Sequence, residues 1–185
     1  MFPLYILALL IHVAYPCQDG IEIVTKETKN PADLIGNWTY VYHWDNLNQF
    51  KYEFADDGDD EVQCPAISIE AITPEYVKAK EAECGSSFLP FKWADAKLKL
   101  DAPLMKMKGG ILVIGEKENW IMMECLRMVR VVINKVSDDY MVLINPEMSH
   151  ISELIARKTP TLKELKCIAH NVDVGKGMSG FGLCA

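Results

Sequence analysis

The stretch that most constrains this chain is Ile35-Gly36-Asn37-Trp38-Thr39-Tyr40-Val41-Tyr42. A glycine marks a turn, a tryptophan follows, and aromatic and β-branched residues then alternate. That pattern reads as a first strand entering a sheet. Because successive side chains of a strand point to opposite faces, Trp38, Tyr40 and Tyr42 are expected on one face, rising from a tryptophan at the base. Such a strand needs partners, so the remainder of the chain is read for them.

Short strand-like runs recur at roughly 8–12-residue spacing, as in an all-β sandwich or barrel. They cover Ala66 to Ile72, Tyr76 to Glu83, Phe91 to Leu100, Ile111 to Ile114, Trp120 to Val136, Met141 to Ile144 and Ile151 to Arg157. Pro74, Pro90 and Pro103 fall where strands end. Asn30-Pro31-Ala32-Asp33 reads as a turn or short helical start before the opening strand. A single helix is expected late. Thr161-Leu162-Lys163-Glu164 is a capping box, and Leu162, Leu165 and Ala169 share a helical face.

The formal charge of −7 argues against nucleic acid and anionic membrane surfaces as partners. Leu4 to Val13 is apolar, with no charged side chain before Asp19. A run of about ten apolar residues is too short to span a bilayer and suits a signal peptide. We therefore expect a signal peptide over residues 1–16, cleaved between 14 and 17, and a secreted product. The six cysteines, Cys17, Cys64, Cys84, Cys125, Cys167 and Cys184, fit an oxidising compartment. None forms a Cys-x-x-Cys pair or a zinc-spaced Cys/His cluster, so no metal or cofactor is expected, and spacing leaves the pairing open. Asp56-Asp57-Gly58-Asp59-Asp60-Glu61 lacks EF-hand spacing and reads as a solvated loop. His43, His150 and His170 show no triad or metal spacing, so no catalytic residue is named and an enzyme is not expected.

Gly36-Asn37-Trp38, Asp139-Tyr140 before a strand, and Arg157 closing the last strand ahead of a helix resemble the three signature regions of the lipocalins. The resemblance spans Asp33 to Cys184. It departs from the usual second region, where Asp138 stands in place of threonine. It implies an all-β fold for residues 17–185: an eight-stranded up-and-down antiparallel barrel with one C-terminal α-helix packed outside. It also implies that Arg157 stacks on Trp38. Gly36, Trp38, Asp139, Tyr140 and Arg157 would then be structural. Asn37-Trp38-Thr39 is also a glycosylation sequon, and its place beside a buried tryptophan argues against its use.

A lipocalin implies a secreted carrier of a small hydrophobic ligand, such as a pigment, retinoid, steroid or odorant. Tyr40, Tyr42, Trp93, Trp120 and Met122 are the candidate ligand contacts. The acidic loop would rim the mouth and favour a neutral or cationic ligand. The resemblance favours Cys64 bonded to Cys184, with Cys17–Cys125 and Cys84–Cys167 as the remaining pairs. Two alternatives are a protein-binding or inhibitory lipocalin acting through its loops, and a thiol-dependent enzyme using Cys64.

Overall fold

The computed structural model describes residues 25–45, 64–85, 92–103, 107–114, 120–125, 127–147, 151–174 and 178–183. The acidic loop, Cys17, Cys184 and the N-terminal apolar run lie outside them. The chain enters with β1 (Lys26–Glu27), a one-turn helix α1 (Pro31–Leu34) and the long strand β2 (Gly36–Asp45). Strand β3 (Ala66–Ala71) leads to helix α2 (Pro74–Cys84). Then come β4 (Ala96–Ala102), β5 (Met107–Ile114), β6 (Trp120–Glu124), β7 (Arg127–Lys135), β8 (Tyr140–Ile144) and β9 (Ile151–Ala156). Helix α3 (Leu162–Asn171) and β10 (Ser179–Gly182) follow.

Strands β2 to β9 pair antiparallel in sequence order, and β9 returns to β2, which closes an eight-stranded barrel. Strand β1 adds to β7, and β10 adds to β2. Closure leaves the eight strands without a free edge among themselves. Two apolar layers result. One fills the interior, from Leu34 and Trp38 through Leu100, Trp120, Met122 and Leu143 to Ile155. The other lies outside, where Val41, Val142 and Leu154 meet Leu165 and Ile168 of α3.

The N-terminus of helix α3 is built as its sequence predicts, although Leu162 of the expected apolar face is exposed and Leu165 and Ile168 are the buried residues. Thr161 Oγ1 accepts from Glu164 N at 3.2 Å, and a Glu164 carboxylate oxygen accepts from Thr161 N at 2.7 Å. Those bonds hold the Glu164 carboxyl below its ordinary value.

Helix α2 corrects the sequence expectation, which placed a strand at Tyr76 to Glu83. Thr73 caps it by accepting from Tyr76 N, and Pro74 occupies the first turn, where its missing N–H costs nothing. The segment that follows is rich in Lys, Ala and Glu, which favour helix. No residue of α2 is fully buried. It lies over the outer face of β4, β5 and β6, with half-buried Tyr76, Val77 and Cys84 on Trp93, Ile111, Val113 and Met123. Tyr76 Oη donates to Gly109 O at 2.7 Å.

A disulfide joins Cys84 at the end of α2 to Cys125 in the turn after β6. This corrects two expected pairings, Cys17–Cys125 and Cys84–Cys167. The physical reason is the unexpected helix, which carries Cys84 along the outside of the barrel to the β6–β7 turn. Cys64 and Cys167 are also disulfide-bonded.

Candidate ligand site in the barrel interior

At one end of the barrel the signature residues meet. Trp38 donates its indole N–H to Leu34 O at 2.8 Å. The Arg157 guanidinium lies 4.1 Å from the Trp38 ring centre, and its Nη2 donates to Asp33 O and Ile35 O at 3.0 and 2.9 Å. Gly36 has φ +139°, and a Cβ there would stand 2.6 Å from Arg157 Nη1, so only glycine fits. Asp139 O accepts from Arg157 N at 2.9 Å, and Tyr140 opens β8 beside it. Trp120 sits in the interior too, its indole N–H donated to Thr28 O at 2.8 Å. Both indole N–H groups and Arg157 Nη2 are used within the fold, which is structural work.

Chemistry lies further along β2, towards Asp45. The register of β2 against β9 slips between Tyr40 and Tyr42, so a β-bulge inserts one residue there. The alternation changes phase. Tyr40 remains in the interior, but Val41 and Tyr42 both join the outer layer, where Tyr42 packs on Trp44 with ring centres 4.8 Å apart. Tyr42 therefore does not follow Trp38 and Tyr40 onto one face, contrary to the expectation from strict alternation. His43 and Asp45 turn inward in its place. His43 lies opposite Glu153 of β9, and Glu153 lies opposite Leu143 of the interior layer.

These polar side chains are buried, with relative exposures of 3% for His43, 2% for Asp45 and 6% for Glu153. His43 Nδ1 stands 2.8 Å from Glu153 Oε1, and Nε2 stands 3.4 Å from Asp45 Oδ2. One imidazole thus bridges two carboxylates. Burial pushes the His43 imidazolium down, but hydrogen bonds and charge from Glu153 and Asp45 outweigh it and hold it above the ordinary value. Burial raises the Glu153 carboxyl, and His43 offsets this only in part. Burial, reinforced by the Glu153 charge, raises Tyr40 as well and keeps its phenol neutral.

Two polar atoms of this group have no hydrogen-bond partner among the described residues: Glu153 Oε2 and the Tyr40 hydroxyl. A buried polar atom left unpaired costs on the order of 1–3 kcal/mol. The group sets two carboxylates against a single imidazole inside an apolar barrel, so acidic side chains outnumber basic ones there. It offers a carboxylate acceptor and a phenolic oxygen to anything that enters with a positive charge and N–H donors.

Among the five candidate ligand contacts, Tyr40, Trp120 and Met122 are interior. Trp93 is outside, beneath α2, with its indole N–H donated to Gly85 O at 3.1 Å. Sequence reasoning missed His43, Asp45 and Glu153, because an alternation carried through position 41 puts His43 and Asp45 on the solvent side. The available signal was Ser152-Glu153 inside the otherwise apolar strand β9, with His43 and Asp45 at the end of β2.

The described Glu83, Cys84 and Cys125 group places metal-type side chains together, but both sulfurs are spent in the disulfide. Cys64 is likewise oxidised, which removes it as a nucleophile. No helix among the described residues is long and apolar enough to cross a membrane. The closed barrel with an outside helix is consistent with the lipocalin fold class. No family model, no curated protein and no solved structure matches the chain.

Proposed function

We propose that this protein is a secreted lipocalin that carries a small, mostly apolar ligand bearing one cationic amine. The single observation behind this reading is the His43–Glu153–Asp45 group with the Tyr40 hydroxyl, set in an interior otherwise lined by residues such as Met122 and Leu143. An ammonium group donates hydrogen bonds and carries positive charge, so it complements Glu153 Oε2 and the Tyr40 oxygen together. A carboxylate ligand meets an unfavourable charge at the same place. Met122 and the aliphatic interior residues accommodate an apolar body of irregular shape. Secretion is supported by the apolar N-terminal run and by the use of cysteine in disulfides.

Titration calorimetry with a hydrophobic amine and the fatty acid of matched chain length tests the charge preference. The amine is expected to bind more tightly, and tighter binding of the acid sinks the reading. Native mass spectrometry of protein from its source then identifies the cargo.

A further inference from the structure

From the placement of Asn37 we infer an N-linked glycosylation site on the outer wall of the barrel, at the Trp38 end. Asn37-Trp38-Thr39 is the chain's single Asn-x-Ser/Thr sequence, and its middle residue is not proline. A buried tryptophan next door argues against use of the site only if the two side chains share an environment. They do not. On β2 the residues alternate, so Trp38 points into the interior at 1% exposure while Asn37 is exposed on the opposite face.

The timing of the modification makes this geometry decisive. A glycan is added to the chain as it enters the secretory pathway, before β2 pairs with its neighbours, and folding must then leave the sugar in solvent. A glycan on an inward-facing residue of β2 would have to enter the barrel, so that chain could not close. At Asn37 the sugar stays outside. Its register partner on β3 is Ser68, a small side chain that leaves room beside it. The floor contacts of Trp38, Gly36 and Arg157 all lie on the other side of the strand or at its start. The glycan would thus stand clear of the His43–Glu153 group, which lies further along β2 on the inner face. Asn37 lies on the outer surface whatever the barrel carries, and its modification rests on the proposed passage through a secretory pathway.

The test supplies that passage independently of the chain's own leader. The full chain is expressed behind a heterologous secretion signal in a eukaryotic host, and its intact mass is measured before and after amidase treatment. The expected result is a secreted protein heavier than its polypeptide, reduced to polypeptide mass by the amidase, with aspartate read at position 37. Asn37→Gln is expected to be secreted at bare polypeptide mass, and Thr39→Ser, which keeps the sequon, to retain the glycan. Secreted, folded wild type at bare polypeptide mass overturns the inference. So does a glycan that persists in Asn37→Gln. Failure of amine binding in the same preparation counts against the proposed cargo and leaves the glycan result standing.

Discussion

Glu153 and His43 face each other across β2 and β9 with 2.8 Å between nitrogen and oxygen, and each alters the other's titration. Glu153→Gln keeps the shape but removes a charge, so amine binding is expected to weaken by about tenfold or more, the range in which truncating a buried charge pair falls. NMR titration of His43 in the same variant should give a lower pKa than in wild type. The pH dependence has two opposite parts. An amine needs Glu153 ionised, so affinity is expected to fall on acidification through the raised Glu153 value, above the ordinary glutamate range of about 4.3. Unliganded stability runs the other way. His43 has a raised folded pKa, so its contribution is fully present below the ordinary histidine value of about 6.5 and is lost as pH rises through the folded value. The stability difference between wild type and His43→Gln, measured by denaturant melts across this range, should shrink with rising pH. A difference that grows would contradict the assignment.

The elements depend on local devices that can be removed singly. At the start of β2, Gly36→Ala forces a side chain into positive φ and against Arg157 Nη1. The strain alone costs about 1–3 kcal/mol, and loss of the Arg157 stack on Trp38 adds to it. A fall in melting temperature with reduced Trp38 burial, read by fluorescence, checks this. On β10, Gly180 lies against the Tyr42 and Trp44 rings, so close that any Cβ displaces them. The outward turn of Tyr42 at the bulge and the glycine of β10 are therefore two halves of one contact. Thr161→Ala removes one side of the α3 capping box and is expected to cost about 1 kcal/mol. That loss should appear without any change in ligand affinity, since α3 packs outside the barrel.

At the scale of the whole molecule, one barrel wall separates an outer layer under α2 and α3 from an inner layer that ends in the polar group. The Cys84–Cys125 disulfide closes a separation of 41 residues that includes β4, β5 and β6. The chain-entropy account assigns such a loop about 4 kcal/mol of stabilisation through the unfolded state. Replacing both cysteines with serine is expected to lower stability by about 2–4 kcal/mol in urea melts. The interior group should be unaffected, because α2 docks on the outer face. Retained amine affinity in the folded double variant checks that separation.

Much of the fold was legible in local sequence, because its signals act over a few residues. The Asn30 turn, the alternation of Trp38 and Tyr40, the recurring strand-like runs and the capping box of α3 work this way, and they pointed to an all-β sandwich or barrel with one late helix. Closure into eight strands was implied only by the resemblance of Gly36, Trp38, Asp139, Tyr140 and Arg157 to the lipocalin signature regions. Helix α2 was legible too, in Thr73, Pro74 and the Lys/Ala/Glu run, but a regular spacing of strands masked it. What the tertiary structure alone decided was the direction of side chains beyond Tyr40. The bulge at Val41 is a property of how β2 registers against β9, and no residue within β2 announces it. That one-residue slip carried Tyr42 to the outer wall and brought His43 and Asp45 inside to meet Glu153. A disulfide partner is equally a matter of distance in space, so Cys84 found Cys125 only once α2 was in place. The sequence by itself determined the container; the register between two strands decided the chemistry within it.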